Sequence, residues 1–347
     1  LNLFLHRVDE GLKRAFDKKT GVINTYFENK VTEYRIRKEA GKEKKNWQHH
    51  TCIEVLKFEQ KPLPLFLEGP MHYLRILKDR DPAGRFHASV KKSGLYDRKL
   101  KMYKVNASLA RASIDIGRLK IFTPGWLENE SVWLHMEYKY LLELLRNGLV
   151  NEYYKAIQTA LVPYMDPGVY GRSIFENVSF IVSSAHPDTK IHGQGFIARL
   201  SGSTAEFLSI WLVMNVGLKP FYMEGGQLCL RFQPLLKGTL FTRKKEIVKN
   251  FSKADPLYND LSTAKELYEE IILSQNSYLF KFLGNTVVIY HNPDRKDTFG
   301  PKRARIKRID LIYNNDETHM IEGAVLREPF SYDVRNGRIK RVDVLFG

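Results

Sequence analysis

The chain has 347 residues, 43% hydrophobic and 27% charged. That balance excludes a disordered tail, a collagen-like fibre and a disulfide mini-protein, no apolar run approaches the ~20 residues of a membrane span, and the length predicts about two domains. The 55 Lys and Arg against 39 Asp and Glu give a net charge of +16 without any nucleic-acid-binding signature, so the excess reads as solvated basic surface, with neither nucleic acid nor a membrane as partner.

Leu3, Phe4, Val8, Leu12 and Phe16 have helical spacing and predict a helix over residues 1–16. The pattern is already under way at Leu1, so the chain is expected to be the C-terminal piece of a longer protein. A turn follows at 17–21, a proline-stiffened loop at 61–70 and a short helix at 72–78. The clearest helix is expected over 130–147, where Trp133, Leu134, Tyr138, Leu141, Leu142 and Leu145 share a face, Asn129 is the N-cap and Gly148 the C-cap. A second is expected over 152–161. A third opens with Ser203-Thr-Ala-Glu206, the spacing of a capping box, and stops at Gly217. Beyond about residue 225 the period changes towards 2, and strands are expected over 227–232, 278–282, 286–290, 305–312 and 342–346. A tight turn is expected at 283–285 and a helical interruption over 262–273.

Cys52 and Cys229 lie among apolar neighbours with no metal-ligand spacing, which favours buried thiols and a reducing, cytoplasmic compartment. His49-His50 and the pair His186 and His192 also lack the spacing of a standard metal site. Walker, Gly-x-Ser-x-Gly, His-Glu-x-x-His and dinucleotide signatures are missing.

A dense polar constellation remains, in residues 123–135, 170–179 and 192–206. Tryptophan beside carboxylates and amides suits sugar, whose ring faces stack on aromatics while its hydroxyls take paired hydrogen bonds. Core tryptophans with capping carboxylates are the other reading of the same residues. The turn at 200–204 places glycine and hydroxyls at a helix start, where free amides suit an anion. A plain capped helix is the alternative there.

At these segments the sequence resembles the cellobiose phosphorylase-type family of inverting glycoside phosphorylases, especially its long β-oligoglucan members. The family has a Glu-Asn pair in a loop and a phosphate-binding His seven positions after that Glu, following an aromatic. Glu128-Asn129, Trp133 and His135 match that spacing. The family's Thr-Gly-Thr-Ala turn follows some sixty-odd residues later. Ser201-Gly202 stands there, with Ser in place of Thr and one extra residue before Thr204-Ala205.

The resemblance implies a mainly α fold: part of an (α/α)6 barrel over 1–225, followed by a smaller β-rich, sandwich-like domain over 226–347. It implies inorganic phosphate as co-substrate, with no cofactor and no metal, and α-glucose 1-phosphate released from a β-linked glucan or oligosaccharide. Phosphate would contact His135, Gly202 and some of Ser201, Ser203 and Thr204, while Trp126, Glu128 and Asn129 hold the acceptor sugar. Arg172, Glu176 and Asn177 are further contacts to sugar or phosphate. The family's general-acid Asp sits in a Trp-Asn-Asp-type motif that residues 1–134 lack, so no catalytic residue is assigned here. The remaining partners expected are the missing N-terminal part and a second copy in a homodimer. A non-catalytic sugar-binding fragment and an inverting hydrolase are the competing functions.

Overall fold

Alternation of charged and apolar residues, not helical spacing, governs much of the N-terminal sequence. The computed structural model describes residues 1–77, 79–198, 202–251, 268–284 and 286–347. In it Phe27–Ile36 and Ile53–Pro62 pair as a two-stranded antiparallel ribbon. Apolar residues face apolar ones across it (Val31 with Phe58, Tyr34 with Val55, Ile36 with Ile53), and charges face opposite charges (Glu28 with Lys61, Lys30 with Glu59, Arg35 with Glu54). Such cross-strand pairs are the unit of sheet stability.

Helix and strand each make up 31% of the described residues, the strands spread over many small sheets, and no α/α barrel is evident among them. The expectation of a mainly α fold built on part of an (α/α)6 barrel is therefore corrected. The cause is local: segments between the apolar-periodic helices pair as strands instead of running as loops.

The chain divides into two units, Leu1–Leu208 and Ser209–Gly347. In the first, α1 (Asn2–Ala15) buries none of its residues. It is followed by α2 (Glu68–Ile76), α3 (Arg80–Lys92), α4 (Arg118–Ile121), α5 (Leu134–Arg146), α6 (Val150–Ala160) and α7 (Pro167–Tyr170). The core forms where α5 packs on α2 and α6. Met71, Leu74, Tyr138, Leu141, Leu145, Tyr153 and Ile157 are all buried there. Helix α8 (Gly202–Asn215) begins in the first unit and ends in the second.

Two helix starts differ from the sequence reading. The predicted 130–147 helix begins only at Leu134, because Glu130 has φ +60° and Val132–Trp133 pair as a strand with Phe180–Ile181. Asn129 is accordingly no N-cap: its side-chain amide donates to the Phe122 carbonyl at 2.7 Å. Ser203 lies inside α8, one residue past its start, rather than at the cap of a capping box.

The second unit carries a five-stranded mixed sheet, in the spatial order Ser277–Phe282, Thr286–His291, Ile339–Phe346, Ile306–Tyr313, Thr318–Glu322. Alternate residues Val288, Tyr290, Val342, Val344, Ile309 and Leu311 are buried. A short α9 (Phe330–Arg335) precedes the last strand. The predicted turn joins the first two strands antiparallel; its Asn285 lies outside the described residues. Of the predicted 262–273 helix, residues 262–267 lie outside the described residues, whereas Tyr268–Leu273 is a strand paired with Glu246–Phe251. β-branched Ile271 and Ile272 suit that state.

Candidate functional site

Three short strands bring the site together. Val178–Ile181 lies between Val132–Trp133 and Gly195–Ala198 and is antiparallel to both. The two outer strands therefore run in the same direction. One leads straight into α5, and the other leads within a few residues into α8. Both helices start at the same end of the sheet, and Asn177, just before the central strand, lies at that end too. Cross-strand aromatics hold the three strands: Phe180 stacks between Trp133 and Phe196 at centroid distances of 6.2 and 5.7 Å.

His135 occupies the first turn of α5, and its imidazole lies directly on Gly202 at the start of α8. A methyl group on Gly202 would overlap the ring, since its nearest neighbours are all imidazole atoms. The His135 Nε2 is 3.6 Å from Glu206 Oε1, one turn into α8. Burial pushes the His135 pKa below its ordinary value, Lys139 one turn along α5 lowers it further, and Glu206 works against both. The ring is thus a neutral donor at neutral pH.

Asn177 joins the same group. Its side-chain amide approaches the Thr204 hydroxyl at 3.5 Å, and its carbonyl oxygen accepts from the Tyr138 hydroxyl at 3.3 Å. Ser203 is fully buried and donates to the Val178 carbonyl at 3.4 Å, so its hydroxyl serves packing at the helix start. Ser201 lies outside the described residues.

The first amides of a helix have no intrahelical acceptor, and each helix start carries roughly half a positive charge. Two such starts converge here, with His135, Thr204 and Asn177 supplying polar side chains and Lys139 a cation. The arrangement suits a small multiply charged anion. Among the described residues no group of three or more His, Cys, Asp or Glu is arranged to hold a metal ion.

The remaining predicted residues make other contacts. Glu128 accepts from Arg118 at 3.0 Å, and its backbone carbonyl accepts from the Asn106 side chain at 2.5 Å. Asn129 is buried, and its Oδ1 has no hydrogen-bond partner among the described residues. Trp126 packs on Phe196 and Phe180 at 4.6 and 5.0 Å. Arg172 donates to the Gly195 carbonyl at 3.0 Å and lies 3.6 Å from Glu176. The loop carrying Trp126, Glu128 and Asn129 is strained: Leu127 has φ +48° and Glu130 φ +60°. A 2.6 Å ion pair between Glu130 and Lys104, both largely buried, holds the second of these. Gly125, at φ +83°, lets the loop approach the His186 backbone where a side chain would collide. Ile197, β-branched at φ +64°, is a second strained point, close before α8.

Sequence reasoning missed Tyr138, Lys139 and the position of Glu206. The first two follow His135 at i+3 and i+4, the spacing that places residues on one helix face. No family model matches the chain, and no characterised protein is similar enough to be matched to it.

Proposed function

We propose that this protein is an inverting glycoside phosphorylase that uses inorganic phosphate to cleave a β-linked glucan or oligoglucan, releasing α-glucose 1-phosphate. The observation that carries the reading is the seating of His135 on Gly202, where the starts of α5 and α8 converge. These are the residues that the phosphorylase-like spacing assigns to phosphate, and they are far apart in sequence. In this reading phosphate accepts from the His135 imidazole, the α8 amides and the Thr204 hydroxyl. One of its oxygens attacks the anomeric carbon as the leaving oxygen takes a proton from a general acid, which is not assigned to a described residue. Phosphate is already an anion, so the protein's contribution to it is positioning and charge stabilisation. Glu128 and Trp126 belong to the sugar side, with Asn129 pinning their loop.

The test has two arms. Calorimetric titration with inorganic phosphate is expected to show one site per chain, weakened at least about tenfold in His135→Ala. Incubation of the full-length protein with β-1,2-, β-1,3- and β-1,4-oligoglucans plus phosphate is expected to yield α-glucose 1-phosphate from one linkage. Absence of phosphate binding, or free sugar formed without phosphate, would overturn the reading. Saccharide binding indifferent to phosphate would favour a sugar-binding module.

A further inference from the structure

The five-stranded sheet of the second unit has one face in the core, filled by Val342, Val344, Ile309 and Leu311. Residues of the opposite parity make its other face. Part of that face is covered, where Val287 and Ile289 are buried with Ile271 and Leu273 of the hairpin formed by Glu246–Phe251 and Tyr268–Leu273. The rest opens on a cleft of about 650 Å³, lined by His291, Asp310 and Asp343 and by the apolar Ile312, Met320 and Leu345. A volume of this size is ordinary for a small-molecule site. Two aspartates meet in it: Asp310 and Asp343 stand directly opposite each other on antiparallel strands, a pairing that like charges make unfavourable.

Asp343 is satisfied within the protein. Burial alone would raise its pKa, but His291 at 2.7 Å and the Arg341 guanidinium at 2.8 Å hold it below the ordinary carboxylate range. The other ring nitrogen of His291 is held by the Ser277 hydroxyl at 3.1 Å. Asp310 differs: its Oδ2 accepts from Arg308 at 2.9 Å, whereas its Oδ1 has no hydrogen-bond partner among the described residues. That oxygen is turned inward, but the terminal torsion of an aspartate is soft, so either oxygen can meet a ligand. Two carboxylates and two guanidinium groups cancel, so a bare cation or anion gains little from the cluster. What Asp310 lacks is a donor, and beside it stands a wall of Ile312, Met320 and Leu345. An uncharged ligand with hydroxyls along its edge and C–H groups across its face matches both, and that is a sugar ring. We propose that this cleft is a saccharide-binding site in which Asp310 accepts from a ring hydroxyl while the sugar's C–H face lies on the apolar wall. The site is contained within the second unit, and the proposal goes beyond the phosphate reading without depending on it.

The experiment uses the full chain without phosphate and, as probes, the β-1,2-, β-1,3- and β-1,4-linked glucose disaccharides. The imidazole proton signals of His291, identified by their loss in His291→Gln, report on the cleft. At least one disaccharide is expected to shift them saturably in the millimolar range, whereas methylammonium and acetate, which carry charge but no hydroxyl, leave them in place. Asp310→Asn puts a donor where an acceptor is needed and is expected to weaken that binding at least about tenfold. Met320→Glu, a change to a side chain 64% exposed, is expected to weaken it as well, by placing an unpaired charge on the apolar wall. Thermal melting checks both variants, and if Asp310→Asn does not fold, Met320→Glu carries the test. His291 signals that no disaccharide moves, or that methylammonium or acetate moves as far, would overturn the proposal, as would folded variants that bind like the parent. Phosphate binding with no response at His291 removes this site alone. A saccharide response at His291 that persists in His135→Ala upholds it even where phosphate fails to bind and the phosphorylase reading falls.

Discussion

Gly202→Ala separates a functional contact from a structural one. Gly202 is the first residue of α8, and in a helix alanine is favoured over glycine by up to about 1 kcal/mol. Propensity alone therefore predicts a variant slightly more stable than the parent. The new methyl group, however, would overlap the His135 ring. The imidazole is the free end of a two-torsion side chain, 34% exposed, so it can swing aside at little cost to the fold. The expected melting temperature is thus within a few degrees of the parent. The proposed phosphate site, by contrast, loses a positioned donor. A hydrogen bond to a charged group contributes about 1.5–3 kcal/mol, so phosphate affinity should fall roughly 10- to 150-fold. Calorimetry with phosphate, paired with a thermal melt of the same sample, reads both quantities. A folded Gly202→Ala protein that binds phosphate as tightly as the parent would refute the reasoning, because it would show that the displaced ring was never a ligand.

Four further outcomes are expected, each read by unfolding. Glu137 is fully buried, and burial pushes its pKa up to about 8 from an ordinary value near 4.5. The folded state then holds a proton that the unfolded state has lost between those limits, so raising the pH from 5 to 8 should remove roughly 3 kcal/mol of stability. Denaturant midpoints for Glu137→Gln should not show that loss. His87, buried against the Tyr140 hydroxyl at 2.9 Å, is pushed down to about 4 by burial. Only the unfolded chain takes its proton as the pH drops from 6.5 to 4, so stability should fall across that window and His87→Gln should flatten the fall. Glu143, buried between Arg75 at 2.9 Å and Arg146 at 2.7 Å, should cost about 2 kcal/mol when changed to Ala, the half-exposed guanidinium groups recovering part of their hydration. Trp126→Ala should cost about 3 kcal/mol through its lost contacts with Phe180 and Phe196, whereas a ring serving only as a sugar wall would leave the melt unchanged.

Where one chain segment settles its own conformation, the sequence was readable. The apolar stripes of α5, α6 and α8 and the alternating runs of the C-terminal sheet lie close to their predicted positions. The ribbon of Phe27–Ile36 and Ile53–Pro62 escaped notice because its logic is between strands, Lys30 answering Glu59 and Val31 answering Phe58, while two register shifts near Glu33 break the period of 2. The strands Val132–Trp133 and Gly195–Ala198 are too short to carry any period, and only pairing with distant residues makes them strands. The same blindness produced the error at Asn129, since nothing local to it announces that Glu130 turns to positive φ and postpones the helix. The spacing from His135 to Gly202 did identify a pair that meets in space, although the barrel inferred from the same resemblance is not what joins them.

Strand direction joins them instead, and the two faces of α5 show how little else the site requires. His135, Tyr138 and Lys139 follow one another at i+3 and i+4 and share the face turned to α8 and Asn177. Glu137 lies about 200° away around the helix axis from His135, with Leu141 and Leu144 on its own side. That side is packed into the core: Glu137 is sealed there, its one described hydrogen bond coming from the Tyr103 amide at 2.9 Å. Burial is the first cause that drives these two titratable groups, two residues apart, from their ordinary values, in opposite directions. Glu137 shifts because it is enclosed in the structure that holds α5 still. His135 shifts because it is partly buried, with Lys139 lowering it further and Glu206 opposing both. A perturbation of Glu137 should move stability and leave phosphate affinity in place, and one of His135 should do the reverse.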